Sequence, residues 1–308
     1  MTVHSAYFSK TGIYRRSGNL DRIFPAVRDK PADSLHISAW RNQMPGTTLR
    51  RKSHTAGILL CAAAAAINIS CGGPVQQPAA QPAAGEFMVN VVNDSAAGKV
   101  DITVDGKAFT SWLYREGLFK PSLFPIVSAD GRRVTRGFPL ELQPGDRVDH
   151  PHHVGAWFNY GNVNGIDFWG HSDSSDTSKG KFGVIVQRSI DRIESGQKAG
   201  RMDVSLDWLG PDGQAVLKES CRLFFHADSG LRFIDRLSVL TPAAGKVDFP
   251  DTKEGMFAIR VARGLEEPSN EPLKYVDEHG VVTEVKAVDN TGVNGEYLSS
   301  EGLTGEKQ

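Results

Sequence analysis

The chain has 308 residues, with 35 Lys/Arg against 36 Asp/Glu, and that near balance hides an asymmetry. Residues 1–55 hold ten basic and three acidic side chains, which leaves 25 basic and 33 acidic in the remainder. A net acidic body lacks the charge that neutralises phosphates, which argues against nucleic acid or an anionic membrane surface as its partner.

Taken in chain order, Arg50-Arg51-Lys52 precede an apolar run of 14 residues, 56–69. That is shorter than the ~20 residues of a spanning helix and matches the apolar region of a signal peptide. Ser70-Cys71-Gly72-Gly73 follows and resembles a bacterial lipoprotein processing site, although Asn68 stands where Leu is usual. The expectation is an exported, periplasmic or cell-envelope lipoprotein, lipidated on Cys71 and touching a membrane only through that anchor. Met44 is the natural start of such a signal, so residues 1–43 read as a non-native N-terminal extension and 44–71 as the signal itself. Residues 72–86, rich in Pro, Ala and Gln, read as a disordered linker. Cys221 is then the only cysteine in the body, residues 87–308, so neither an intradomain disulfide nor a Cys-based zinc site is expected.

Within the body, period-two alternation dominates. Arg201-Met202-Asp203-Val204-Ser205-Leu206-Asp207-Trp208 alternates polar and apolar, Pro211-Asp212-Gly213 marks a turn, and residues 216–226 return as a strand. Residues 100–105, 182–189 and 231–239 read likewise, with no sustained helical stripe. This predicts an all-β, antiparallel β-sandwich. The chain ends at Gln308 without a closing strand, so the sandwich is expected to be incomplete at its C-terminus.

The chemistry concentrates in residues 149–171, which hold four of the nine histidines. In an extended reading of Asp149-His150-Pro151-His152-His153, His150 and His152 share one face while Asp149 and His153 take the other. Pro151, lacking an N–H, puts the motif at a strand start or an edge. Such a group serves acid–base chemistry or, with His171, Asp149 or Asp167 added, a divalent metal. Otherwise it is a strand-capping loop. Asn159, Asn162, Asn164 and Asp167 alternate with glycines and aromatics; beside Trp157 and Trp169 they suit a sugar, or they are Asx turns over buried tryptophans. Lys253 and Glu254 form a second cluster, as an acid–base pair at a strand end or as a solvated turn. Arg136, with Arg132 and Arg133, is an anion-binding candidate or part of a solvated hairpin.

Arg136-Gly137-Phe138-Pro139, Asp149-His150-Pro151-His152-His153, Gly161-Asn162-Val163-Asn164-Gly165-Ile166-Asp167-Phe168-Trp169 and Asp251-Thr252-Lys253-Glu254-Gly255-Met256-Phe257 together resemble the signature blocks of the PmoA-type family of domains of unknown function. That bacterial family is named for a methane-oxygenase subunit. The resemblance spans roughly residues 112–305. Val154 departs from it, standing where the family has Arg, and the family continues beyond the point where this chain stops. The body has no apolar stretch near the length of a spanning helix, which sets it apart from the membrane-embedded oxygenase subunit. The resemblance implies an exported carbohydrate-processing protein on a mutarotase-like supersandwich or a jelly roll.

The expected activity is epimerisation, elimination or hydrolysis of a small-molecule sugar or glycoside. His150, His152 and His153 with Lys253 and Glu254 would be the acid–base groups. Asn159, Asn162, Asn164, Asp167, Trp169 and Arg136 would position the substrate. The alternatives are a non-catalytic glycan-binding lipoprotein and a metal-dependent oxygenase. No cofactor is fixed by the sequence beyond the divalent-metal candidate.

Overall fold

Alternating apolar residues can bury one face of a strand only by stacking two sheets, and that is the architecture found. The structure, a computed structural model, describes residues 2–9, 12–17, 87–271, 273–286, 289–298 and 304–305. The segments expected to be the signal and the linker, with Cys71, lie outside them.

In chain order the strands are β1 (Thr2–Ser9), β2 (Gly12–Ser17), β3 (Met88–Asp94), β4 (Lys99–Val104), β5 (Lys107–Leu113), β6 (Ser122–Leu123) and β7 (Ala156–Tyr160). They continue as β8 (Val184–Glu194), β9 (Gly196–Gln197), β10 (Ala199–Leu209), β11 (Ala215–Asp228), β12 (Leu231–Pro242), β13 (Gly255–Ile259), β14 (Leu273–Val276) and β15 (Val282–Val285). One antiparallel sheet has the order β13-β7-β6-β5-β4-β3-β9. Facing it, β8, β10, β11 and β12 form a four-stranded meander, continued past β12 by the β1–β2 hairpin. The all-β, antiparallel sandwich expected from the sequence is the fold observed. The β14–β15 hairpin stands apart and pairs only with itself in a sheet.

The alternation read in residues 201–208 is the burial pattern of β10: Met202, Val204, Leu206 and Trp208 are buried and their neighbours are not. The turn at Pro211-Asp212-Gly213 links β10 to β11, with Gly213 at φ 76°, a backbone conformation that only glycine adopts freely. Val89, Val91, Val100, Ile102, Phe109 and Trp112 meet Met202, Val204, Leu206, Leu223 and Phe225 in one core.

Charge enters that core from β11 and β12. Their inward positions include Glu219, Arg236 and Ser238, all buried. Arg236 Nη2 donates to Glu219 Oε1 at 2.7 Å, Ser238 Oγ to the same oxygen at 2.6 Å, and Trp208 Nε1 to Glu219 Oε2 at 2.9 Å. The Arg236 guanidinium also lies 4.8 Å over the Phe158 ring and 5.4 Å over Trp112, within cation–π range. Every polar atom of Glu219 is therefore spent inside the sandwich. Cys221, beside this group on β11, has its thiol pushed up to about 12 by burial, which leaves it protonated and inert.

Candidate functional site

Two long connections give β7 an unusual environment. Residues 124–155 lead into it and residues 161–183 lead out, and His153 from the first and Trp169 from the second pack on Trp157. β7 therefore buries both faces: Ala156 and Phe158 join the core, while Trp157 and Asn159, pointing the other way, are 1% and 0% exposed. Gly155 makes the entry possible. It sits at φ 58°, and a Cβ there would lie 2.1 Å from Leu123 O, so no other residue fits without displacing the neighbouring strand.

The His-rich segment is not extended as the sequence reading expected. His150 has φ 41° and His153 N donates to His150 O at 2.9 Å, which closes a turn with Pro151 and His152 inside it. A turn brings the three imidazoles to one side where a strand would have split them. Their ring centroids lie 4.9 Å (His150–His153), 5.6 Å (His150–His152) and 4.4 Å (His152–His153) apart.

Arg136, 1% exposed, holds this turn from behind. It pairs with Asp149 and donates to Arg147 O at 3.1 Å, His150 O at 3.0 Å and His153 O at 3.3 Å. Arg260 Nη2 bonds both Asp149 oxygens at 2.9 and 3.0 Å. Burial opposes charge on Asp149, but Arg260 and Arg136 together hold its carboxyl below the usual range. Glu266 extends the network, accepting from Arg147 at 2.8 Å and from Arg263 at 2.9 Å. β14 braces the same loop through Val148 N to Lys274 O at 2.8 Å and Val276 N to Asp146 O at 2.9 Å.

On the other side of the turn, His153 stacks on Trp157 at 4.8 Å, and Trp169 Nε1 donates to His153 Nε2 at 3.2 Å. His153 accepts there, so it is neutral with its proton on Nδ1. Burial first, then His152, His150 and Arg260, takes its pKa down to about 2. Burial and the nearby Lys120 take His152 down to about 4. At pH 7 both rings are neutral, each with one nitrogen unprotonated.

A pH dependence of stability follows. A histidine whose folded pKa lies below its unfolded value near 6.5 contributes full stability above that pH and loses it as the pH falls towards the folded value. For His152 and His153 the loss therefore begins near pH 6.5 and runs down to about 4 and about 2. The ceiling is about 1.4 kcal/mol per pH unit for each ring, lowered by solvent screening at this half-buried site. Urea midpoints taken from pH 7.5 to 5 should fall in a way that His153→Gln weakens. A flat profile would mean the rings take up protons freely in the fold.

The other expected residues are placed as follows. Asn159 Nδ2 donates to Phe168 O at 2.6 Å, inside the protein beside Trp157. Asp167 Oδ1 accepts from Trp169 N at 2.7 Å and Gly170 N at 2.9 Å, fixing the Trp169 loop. Asn162 Oδ1 accepts from Gly165 N at 2.9 Å, an Asx turn, and Asn164 Oδ1 accepts from Asp248 N at 2.8 Å. Those two side chains tie loops away from the histidines. His171 Nδ1 meets Gly183 O at 2.9 Å and packs on Phe119, apart from the cluster.

Glu254 occupies the rung of Gly161, whose N donates to Glu254 O at 2.9 Å. Arg260, beside the histidines, lies six residues further on, roughly 20 Å along an extended strand. Glu254 and the exposed Lys253 are thus at the far end of β13 from the imidazoles. Sequence reasoning missed Lys120, which is buried under Trp169 with Nζ donating to Trp169 O at 3.2 Å. Nothing in Phe119-Lys120-Pro121 sets it apart as a sequence.

Residues 99–308 match the model of a family described as a family of unknown function, DUF6807. No curated protein and no solved structure matches the chain.

Proposed function

We propose that this chain, which belongs to the DUF6807 family of unknown function, is an exported carbohydrate-processing enzyme in which His152 is a general base. The observation that carries the reading is the cluster of three imidazoles, within 5.6 Å of one another, packed on two indoles. Burial and Lys120 hold the His152 pKa down to about 4, so the ring is unprotonated at neutral pH, the form a general base needs. His150, its side chain 55% exposed and 3.2 Å from Asp149, lines the rim and supplies a carboxylate–imidazole pair that Glu254 is too distant to provide. Trp169, 8% exposed against 1% for Trp157, is the indole of the pair that a sugar C–H face would meet first. The lipoprotein-like segment ending at Cys71 supports delivery to the periplasm or cell envelope, and the acidic body supports a small-molecule partner over nucleic acid.

The methane-oxygenase label that accompanies the PmoA-type resemblance calls for a metal. The residues do not fit one as arranged. His150 and His153 lie parallel, 8° apart, so their nitrogens do not converge on one point, and Trp169 uses His153 Nε2. Among the described residues no set of three His, Cys, Asp or Glu is disposed to hold a metal ion.

A screen of methyl glycosides, keto-sugars and uronic acids for binding and turnover tests the proposal. His152→Ala is expected to abolish turnover while the fold melts within a few degrees of wild type; undiminished turnover would remove His152 as the base. The commitment of Asp149 to two arginines favours a second reading, non-catalytic glycan binding. That reading requires Trp169→Ala to abolish binding and His152→Ala only to weaken it, with no turnover of any sugar.

A further inference from the structure

Lys120 precedes Ser122 by two residues, and Ser122 pairs with Trp157 across β6 and β7. Lys120, in the bend before β6, packs on the face of β7 that carries Trp157 and Asn159. It is 4% exposed, its Nζ is 5.7 Å from the centre of the Trp157 ring, and Trp169 O is its hydrogen-bond acceptor. An ammonium group has three donors, and among the described residues no carboxylate approaches this one within ion-pair distance. Two polar atoms on the same face of β7, Trp157 Nε1 and Asn159 Oδ1, are buried with no hydrogen-bond partner.

Buried polar groups in folded proteins are nearly always satisfied, and a buried cation is costly without a counter-charge. Here a cation with one acceptor and no counter-charge, a partnerless N–H donor and a partnerless amide oxygen occur beside the imidazole cluster. Burial lowers the Lys120 pKa to about 7, with Asp167 opposing the shift, so the fold holds this amine at a cost. Unsatisfied polar groups gathered at one site belong to ligand recognition more readily than to stability.

We infer that Lys120 is the cation of an anion subsite and that the ligand of this site is a sugar acid, its carboxylate held by Lys120 and the Trp157 N–H and a hydroxyl by Asn159 Oδ1. The inference rests on the carbohydrate reading above and narrows it to one substrate class. A carboxylate takes the place of Trp169 O as acceptor, so entry involves the segment that Asp167 fixes.

Titration calorimetry of the full-length chain with D-glucuronate and D-galacturonate, against glucose and galactose, tests it. Both uronates are expected to bind at least about tenfold more tightly than the neutral sugars. Lys120→Met should erase that preference, leave neutral-sugar affinity within about threefold, and raise the ligand-free melting temperature by removing an uncompensated buried charge. Should the methionine variant fail to fold, Lys120→Arg, which keeps the charge, must keep the preference.

Equal affinity for acids and neutral sugars overturns the inference and leaves the carbohydrate reading standing. Binding of none of the four removes both. A preference that survives in Lys120→Met overturns the role of Lys120, as does a methionine variant with a lowered melting temperature.

Discussion

Glu219→Ala is expected to cost about 3–5 kcal/mol of unfolding free energy, the range for stripping a buried cation of its partner. The carboxylate is fully enclosed and takes bonds from Arg236, Ser238 and Trp208. Its removal leaves three donors facing apolar residues and a guanidinium without a counter-charge. Cavity formation adds to the loss but is the smaller part, since the charge cannot reach water through a packed sandwich. The double variant Glu219→Met/Arg236→Met separates the effects. If the pair is a costly luxury, the double variant is close to wild type in stability and the single variant far below it, because burying neither charge avoids both desolvation penalties. Urea denaturation of the three proteins measures this. A single variant within 1 kcal/mol of wild type, on the scale of a surface substitution, would show that water reaches Arg236 after all.

The second large effect is expected at Arg136. Arg136→Met should destabilise by about 3 kcal/mol or more, from three carbonyls losing their donor at roughly 1 kcal/mol or more each. It should also abolish ligand binding, since Arg147 O, His150 O and His153 O are the points that hold the histidine turn closed. Arg136→Lys is expected to fail almost as badly. A lysine delivers a point charge where the planar fork reaches carbonyls on both sides of Asp149 at once. Arg260 would still hold Asp149, so the turn should loosen without the whole loop leaving the sheet. The histidine ring signals in a proton–nitrogen NMR spectrum report on the turn, and the urea midpoint reports on stability. Binding that survives in the methionine variant would show that the turn closes without Arg136.

Alternation made the sheets legible, because the period of two in residues 201–208 is also the period of burial in β10. The polar core was not legible for the same reason. On β12 the inward set is Arg232, Ile234, Arg236 and Ser238, so a reading that turns charged residues outward assigns that strand the wrong face. Only the partner on β11, Glu219, reveals why an arginine faces inward, and that pairing is a tertiary fact. Within the site, the density of histidine and tryptophan located the imidazole–indole cluster. The extended geometry given to His150 and His152 failed because nothing in His-Pro-His-His announces a positive φ at its first residue. Asn162 and Asn164 were open between sugar contacts and Asx turns; Asn162 closes an Asx turn, while Asn164 accepts from Asp248 N of a distant segment. Lys120 carried no signal at all; its significance comes from β6 pairing with β7.

A two-sheet protein ordinarily keeps separate ledgers for durability and for work, one face of a strand serving each. The five residues of β7 do not permit that division. Phe158 packs under Arg236 in the sandwich, while Trp157 on the reverse carries His153, with one peptide bond between them. Variation in the interior is therefore transmitted to the imidazole cluster across a single peptide bond.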